Sequence, residues 1–149
     1  MIEYIKGTIT SLTPTAVTVE TVGIGYQLNV SLPTYEKLQA ESNNSTVKLL
    51  VHEVIREDAW TLFGFLSERE RTLFRQLIGV SGVGANTARV ILSAYAIDEL
   101  EGIIASGNVA QLKKVKGIGA KTAERIIVDL KDKIKADGQT LNTSKLSTE

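Results

Sequence analysis

The sequence predicts a two-domain β + α protein, in which a five-stranded barrel precedes an all-α domain. Three observations support this. Residues 1–63 contain five short runs rich in β-branched and apolar residues, separated by turn residues. Residues 64–136 place apolar residues at helical spacing instead. Within this second region a short stretch occurs twice, 35 positions apart, at Gly82–Ala88 and Gly117–Ala123, which indicates a duplicated structural unit.

Composition narrows the class of protein. The chain has 149 residues and is 43% apolar, enough for two small cores. It contains no cysteine and one histidine, His52, so disulfides, thiolate sites and histidine clusters are excluded, and we expect no metal or cofactor. No apolar run approaches the roughly 20 residues that span a membrane. No signal peptide is recognisable either, so we expect a cytoplasmic protein without membrane contact.

The formal net charge of zero hides a separation by domain. Residues 1–63 carry four Lys and Arg against seven Asp and Glu, whereas residues 64–136 carry twelve against eight. Residues 111–135 alone have eight basic and three acidic residues. Positive charge therefore accompanies the repeated glycine turns, which favours a nucleic-acid partner.

The elements of the first domain are predicted from alternation and turn signals. They are strands over 2–12, 16–22 and 25–30, a helix over 31–38, a polar loop over 41–45, and strands over 46–55 and 59–65. Five strands with a helix between the third and fourth is the order of an OB-fold barrel. A small β-barrel with no binding role fits the pattern equally well. Tyr26 and Trp60 could stack on bases, but their strand spacing is more typical of core residues.

The turn between the last two strands contains Arg56, Glu57 and Asp58. Adjacent carboxylates at a hairpin tip usually mark a solvated turn, and catalysis would need a partner acid, a metal-binding neighbour or burial. The local sequence offers none of these, so the residues alone favour a solvated turn. The functional alternative is negative charge displayed toward DNA.

Five helices are predicted in the second domain. Ser67, three residues before Glu70, starts the first of them as a capping box. The others are predicted over 85–95, 98–105, 109–114 and 120–135, with glycine turns over 79–84 and 115–119. They form two related pairs, each consisting of a helix, a tight glycine turn and a second helix.

The two glycine turns predict matched phosphate sites. Glycine permits positive φ and close approach of another backbone, and the free N–H groups at the start of the next helix attract anions. A structural helix corner is the weaker alternative. A nucleotide-binding loop fits poorly, since no strand precedes either turn. The candidate phosphate-binding residues are Gly82, Val83, Gly84, Asn86, Thr87, Gly117, Ile118, Gly119, Lys121, Thr122 and Arg125, with supporting charge from Lys113, Lys114, Lys116 and Arg56.

Several motifs occur in a fixed order along residues 1–136. They are Met1-Ile2, Gly23–Tyr26, Arg56–Ala59, Leu62–Phe65, Glu70–Phe74, Gly82–Gly84 and Gly117–Arg125. In these motifs the chain resembles the RuvA family of bacterial Holliday-junction-binding proteins. The resemblance is specific because so many motifs recur in one order.

This resemblance implies an OB-fold first domain, of residues 1–63, and two helix–hairpin–helix motifs in residues 64–136. It implies a homotetramer, alone or paired as an octamer, that holds a four-way DNA junction open while hairpin amides bind phosphates. It also implies recruitment of the ATPase motor RuvB, with the resolvase RuvC as a further partner, in recombination, repair and the SOS response. The chain itself is expected to be non-catalytic.

The resemblance changes one interpretation and exposes two departures. Glu57 and Asp58 match the family's acidic pin, where four copies would repel phosphates and guide strand separation. Asn86 stands where a lysine is expected, so the first hairpin is expected to bind mainly through backbone amides. Residues 137–149 are polar and linker-like. In the family such a linker leads to a third, motor-binding domain, so we expect a truncated chain, which puts motor coupling in doubt.

Two other classes of function are weighed against junction binding. One is a helix–hairpin–helix glycosylase or nuclease, in which Asp129 acts and Glu57 with Asp58 binds a metal. It lacks a second catalytic group in the sequence. The other is a protein-binding adaptor, which leaves the duplicated turns and the basic segment unexplained.

Overall fold

The computed structural model describes residues 1–41 and 46–147, and side chains only as far as residue 135. Its elements are β1 (Tyr4–Leu12), β2 (Ala16–Thr21), β3 (Ile24–Asn29), α1 (Leu32–Glu41), β4 (Thr46–Ile55), β5 (Trp60–Phe65), α2 (Glu68–Ile78), α3 (Ala85–Ala94), α4 (Ile97–Ala105), α5 (Val109–Lys113) and α6 (Ala120–Ser147). The predicted order of strands and helices is confirmed. Of the polar loop predicted at 41–45, residues 42–45 lie outside the described residues.

The five strands form a closed barrel in the order β1-β2-β3-β5-β4. β1 pairs antiparallel with β2 and β4, while β3 and β5 form a parallel pair at Leu28–Leu62 and Asn29–Phe63. Every strand therefore has two partners, and the OB-fold prediction is confirmed. The core of the barrel consists of Ile5, Val17, Val19, Leu28, Val30, Leu38, Leu49, Val51 and Leu62.

The helical domain has its own core, to which both copies of the duplicated unit contribute matching residues. The buried pairs are Leu77 and Leu112, Val80 and Val115, Val83 and Ile118, and Ala88 and Ala123. Burial of equivalent residues shows that the sequence repeat is a structural repeat. Ser67 is the predicted N-cap of α2, because the Glu70 N–H donates to Ser67 Oγ at 3.2 Å, but the Glu70 carboxylate bonds Ser31 and Thr34 and does not complete the predicted capping box.

Arg71 of α2 joins the helical domain to the barrel. The residue is 3% exposed. Its guanidinium donates to the carbonyl oxygens of Glu3 and Val51 at 3.0 and 3.2 Å, and it pairs with the carboxylates of Glu3 and Glu68 at 2.5 Å. The charge of Arg71 is thus neutralised and most of its donors are used within the protein.

A second polar cluster surrounds the start of α1. The hydroxyls of Ser31 and Thr34 donate to the buried Glu70 carboxylate at 3.4 and 3.2 Å, and the Leu32 N–H donates to Ser93 Oγ of α3 at 3.0 Å. Burial raises the pKa of the Glu70 carboxyl, although both hydroxyls oppose this effect. Helix α1 and the residue before it therefore connect the barrel to α2 and α3.

Two predicted boundaries differ from the structure. Helix α6 runs to Ser147, whereas the sequence predicts a helix that ends at Lys135. Each residue added to an existing helix gains a hydrogen bond, and residues 137–147 contain no proline to stop it. The predicted helix end at Lys135 is therefore wrong, while the role of 137–149 as a linker stays a prediction. Strand β5 continues to Phe65, beyond the domain boundary predicted at residue 63.

Candidate nucleic-acid interface

The first glycine turn connects α2 to α3 with a backbone that requires glycine at one position. Gly82 has a φ of 91°, which side-chain-bearing residues rarely adopt. The Val83 N–H donates to the Val80 carbonyl at 3.0 Å, so the turn folds back on buried side chains. Gly84 then caps α3 with φ −85° and ψ 172°, and the Ala88 N–H donates to its carbonyl at 2.9 Å.

The second turn, between α5 and α6, repeats this geometry. Gly117 has a φ of 89°. The Ile118 N–H donates to the Val115 carbonyl at 3.1 Å, and the Ala123 N–H donates to the Gly119 carbonyl at 3.0 Å. Each bond is the counterpart, 35 positions later, of a bond in the first turn. The two turns are therefore structurally equivalent.

Both turns present unpaired amides to open space. In α3 and α6 the N–H groups of residues 85–87 and 120–122 precede the first intrahelical hydrogen bond. A methyl group added at Gly84, Gly117 or Gly119 would meet no described atom within 4 Å. Such helix starts carry a partial positive charge and can accept an anion close to the backbone.

Helix α6 brings the two turns together. Arg125 Nη1 donates to Ser81 Oγ in the first turn at 3.3 Å. A methyl group added at Gly82 would lie 3.9 Å from Thr122 Oγ1. The sequence prediction assigned Arg125 and Thr122 to the second turn alone, but the structure places both side chains beside the first turn as well.

Arg89 is a candidate that the sequence reasoning missed. Its Nε and Nη2 donate to Asn86 Oδ1 at 3.2 and 3.0 Å, which holds the guanidinium near the start of α3. The sequence could have indicated the contact between Asn86 and Arg89, because residues at i and i+3 are neighbours on a helix. The expectation that the first turn, with Asn86 in place of a lysine, binds mainly through backbone amides stays a prediction. Arg89 and Arg125 both place positive charge there.

The other arginines of the helical domain are occupied by protein groups. Arg69 of α2 pairs with Asp98 and Glu101 of α4 at 2.5 Å. Arg75 donates to His52 Nδ1 at 3.2 Å. Burial, followed by the charge of Arg75, lowers the pKa of His52, so the imidazole accepts this bond as a neutral ring.

The remaining cations are available to a ligand. In the part of the chain whose side chains are described, Arg89 and Arg125 form no ion pair with a carboxylate. The predicted supporting lysines, Lys113, Lys114 and Lys116, are exposed, as is Lys121 of the predicted phosphate-binding set. Free positive charge is thus concentrated around the two glycine turns.

The acidic turn faces the first glycine turn. Arg56, Glu57 and Asp58 are exposed, and the Arg56 N–H donates to the Ala59 carbonyl at 2.8 Å to close the β4–β5 hairpin. A cleft of about 470 Å³ separates this hairpin from the start of α3, with Arg56 and Asp58 on one side and residues 84–87 on the other. The structure thereby brings Asp58 of the predicted acidic pin and the first predicted phosphate site to the same opening.

Trp60 is not the core residue that its strand spacing favours. It is 64% exposed, and its Nε1 donates to Glu53 Oε2 at 2.9 Å. The reason is the short pairing of β3 with β5, which leaves a groove of about 490 Å³ lined by Tyr26, Trp60 and their neighbours. Tyr26 is half-buried there.

The residues considered for catalysis are not brought together. Asp58 lines the cleft beside α3, whereas Asp129 lines a different cleft, between α2 and α6. Among the described side chains, no three His, Cys, Asp or Glu residues converge as a metal site would require. No helix in the described part of the chain is long and apolar enough to cross a membrane.

A closed OB-fold barrel followed by a tandem helix–hairpin–helix unit defines the class of protein. Comparison with protein-family models supports both halves: residues 1–64 match the RuvA N terminal domain and residues 74–132 match the SAM-like helix-hairpin-helix tandem.

Three relatives are named Holliday junction branch migration complex subunit RuvA. The protein from Bacteroides fragilis is 54% identical over 91% of this chain and 66% of its own length. The protein from Bacteroides thetaiotaomicron is 50% identical over 95% of this chain and 69% of its own length. The protein from Parabacteroides distasonis is 58% identical over 91% of this chain and 67% of its own length. The chain spans about two thirds of the length of these relatives. It belongs to the RuvA family.

Proposed function

We propose that this chain binds four-way DNA junctions by their structure rather than their sequence, as one subunit of a homotetramer. Phosphates would be held by the backbone amides at the starts of α3 and α6 and by the surrounding Lys and Arg side chains. Contacts of this kind position a protein on DNA without reading its bases.

The observation that carries the proposal is the pair of equivalent glycine turns on one face. Arg125 of the second motif donates to Ser81 in the first, which supports the proposal that the two anion sites lie close together. Two sites at a fixed separation match a polyanion with regularly spaced phosphates better than a single small anion. The names of the relatives, which refer to the Holliday junction, point to the same ligand.

Junction preference would come from the acidic turn and from symmetry. In a single subunit, Glu57 and Asp58 would repel only the DNA phosphates nearest to them. Four copies around a crossover would create a negative centre that keeps the strands apart while the outer cations hold the arms. In this proposal, the cleft between the acidic turn and α3 would receive one separated strand in each subunit.

The proposed role within the cell is that of a non-catalytic scaffold in the cytoplasm. The relatives are named as subunits of a branch migration complex, which implies a partner that drives movement. We assign the ATPase to a RuvB motor, and RuvC is a further candidate partner at the junction. Recombination and DNA repair are the processes that this complex would serve.

The direct test compares a labelled four-way junction with a linear duplex of equal length in a gel-shift titration. We expect clear preference for the junction and little dependence on sequence. The mass of the complex in solution should correspond to one tetramer, or two, on one junction. Equal affinity for the junction and the duplex would refute the proposal.

The same material tests the enzymatic alternative. The chain is incubated with Mg²⁺ and the labelled junction, and the strands are separated under denaturing conditions. We expect intact strands, because Asp58 and Asp129 lie in separate clefts. Specific cleavage products would revive the nuclease hypothesis.

A further inference from the structure

We propose that Arg89, positioned by Asn86, is the cation that contacts the DNA phosphate at the first glycine turn. This inference rests on the proposed function and assigns a residue and a mechanism to one of its sites. Arg89 is the phosphate-contacting residue, and Asn86 is a positioning residue that acts through it.

The geometry of the pair supports these roles. Asn86 is the second residue of α3, among the amides that precede the first intrahelical hydrogen bond. Its Oδ1 accepts from both Nε and Nη2 of Arg89, at 3.2 and 3.0 Å. Two hydrogen bonds to one oxygen restrict the guanidinium and leave other N–H donors for a ligand. The planar guanidinium matches the geometry of a phosphate.

Comparison of the two copies explains why the arginine is needed. In the register of the repeat, Lys121 of the second copy corresponds to Asn86, and Glu124 corresponds to Arg89. The second turn therefore has a cation at the second helical position, whereas the first turn has an uncharged amide there. In the first copy the cation lies one helical turn later, and Asn86 directs it back toward the amides.

The charge state of Arg89 also favours a ligand. Arg69 and Arg71 of the same domain pair with two carboxylates each. Among the residues with described side chains, Arg89 has no carboxylate partner, and its hydrogen bonds go to the neutral amide of Asn86. An arginine whose side chain is held in place but not neutralised is suited to bind an anion.

The first experiment measures the effect of Arg89→Gln on junction binding. Anisotropy of a labelled four-way junction is recorded over a range of NaCl concentrations, with Lys6→Gln as control, because Lys6 is an exposed cation on β1. We expect Arg89→Gln to weaken binding about tenfold for each phosphate interaction that it removes. The slope of log K against log salt should become shallower by about 0.9 for each of these interactions. Lys6→Gln should leave both quantities unchanged.

The second experiment tests the positioning role. We expect Asn86→Ala to weaken binding by less than Arg89→Gln and to add nothing in the Arg89→Gln background. The combination Asn86→Lys with Arg89→Gln should restore the salt dependence, since it recreates the arrangement of the second turn. Thermal unfolding monitors the fold of every variant.

The outcomes separate this inference from the proposed function. If the wild-type chain does not prefer the junction, the proposed function fails. If the wild-type chain prefers the junction but Arg89→Gln keeps its affinity and salt dependence, only the role of Arg89 is refuted. Additive effects of Asn86→Ala and Arg89→Gln would refute the positioning role.

Discussion

A single methyl group at Gly84 should separate DNA binding from folding. Gly84 lies at the N-cap of α3 with φ −85° and ψ 172°, a conformation open to every residue. A Cβ at this position meets no described atom within 4 Å, so Gly84→Ala creates no clash within the protein. It would instead add bulk where we propose that a phosphate approaches the free amides.

The expected effect on stability is small because two contributions oppose each other. Alanine restricts the unfolded chain and stabilises the protein by about 0.4–1 kcal/mol. Alanine is also a poorer N-cap than glycine, which costs about 0.5–1.5 kcal/mol. The net change in the free energy of unfolding should be about 1 kcal/mol or less, which corresponds to a shift in Tm of about 4 °C or less.

The expected effect on binding is much larger. A hydrogen bond to a charged group contributes about 1.5–3 kcal/mol. Loss of one such bond should weaken junction binding roughly 10- to 100-fold for each subunit that contacts the DNA.

Circular dichroism and junction titration measure the two effects on the same sample. Gly102→Ala is the matched control, because Gly102 lies within α4, away from both turns, and also has open space for a Cβ. We expect Gly102→Ala to bind like the wild type and to be slightly more stable. If Gly84→Ala binds the junction as tightly as Gly102→Ala, no phosphate approaches this backbone and the reasoning is refuted.

Three further substitutions test the acidic turn and the contacts between the domains. Glu57→Gln combined with Asp58→Gln should keep or raise junction affinity in a gel shift, because repulsion of phosphates is removed. Arg71→Met should lower the free energy of unfolding by about 3 kcal/mol in denaturant titrations, because two carbonyl oxygens lose their donor. Burial raises the pKa of Glu70 above its usual 4.5, so the wild type loses stability as the pH rises through the folded-state pKa. Glu70→Gln should therefore gain stability relative to the wild type at neutral pH, and this gain should shrink as the pH falls through the raised folded-state pKa toward 4.5.

Each of these expectations has a clear contrary result. A large loss of affinity on neutralising the acidic turn would show that its carboxylates support binding. An Arg71→Met protein as stable as the wild type would show that the contacts between the domains contribute little. A stability difference for Glu70→Gln that stays constant from acidic to neutral pH would exclude titration of the buried carboxyl as its cause.

Local patterns were sufficient to predict most of the fold. Alternation predicted the strands, and the 35-residue repeat predicted two equivalent turns, in which Gly82 and Gly117 adopt the positive φ that glycine permits. These features depend on residues close in sequence, where periodicity and turn chemistry act directly. The end of α6 was missed because a helix already formed continues through weakly favourable residues.

The features that were missed at the candidate site depend mostly on tertiary packing. Arg125 and Ser81 are 44 positions apart, and only the packing of α6 brings them together. The exposure of Trp60 follows from the place where β5 departs from β3. Arg89 differs from these, because its bond to Asn86 spans only three residues. Arg89 lies outside the repeated glycine motif and is not at the position where a lysine is expected. The three-residue helical spacing between Asn86 and Arg89 would have predicted their contact.

The closed barrel has a consequence for how several copies can coexist on one DNA molecule. Each of its five strands is hydrogen-bonded to two other strands, so no strand in the described part of the chain lies wholly at an edge. Free edges are templates for irreversible aggregation when chains are concentrated. If copies of this chain gather on one DNA molecule, as we propose, their local concentration is high, and we expect their contacts to depend mainly on side-chain surfaces. We expect such contacts to be reversible, so that an assembly forms on DNA and comes apart afterwards.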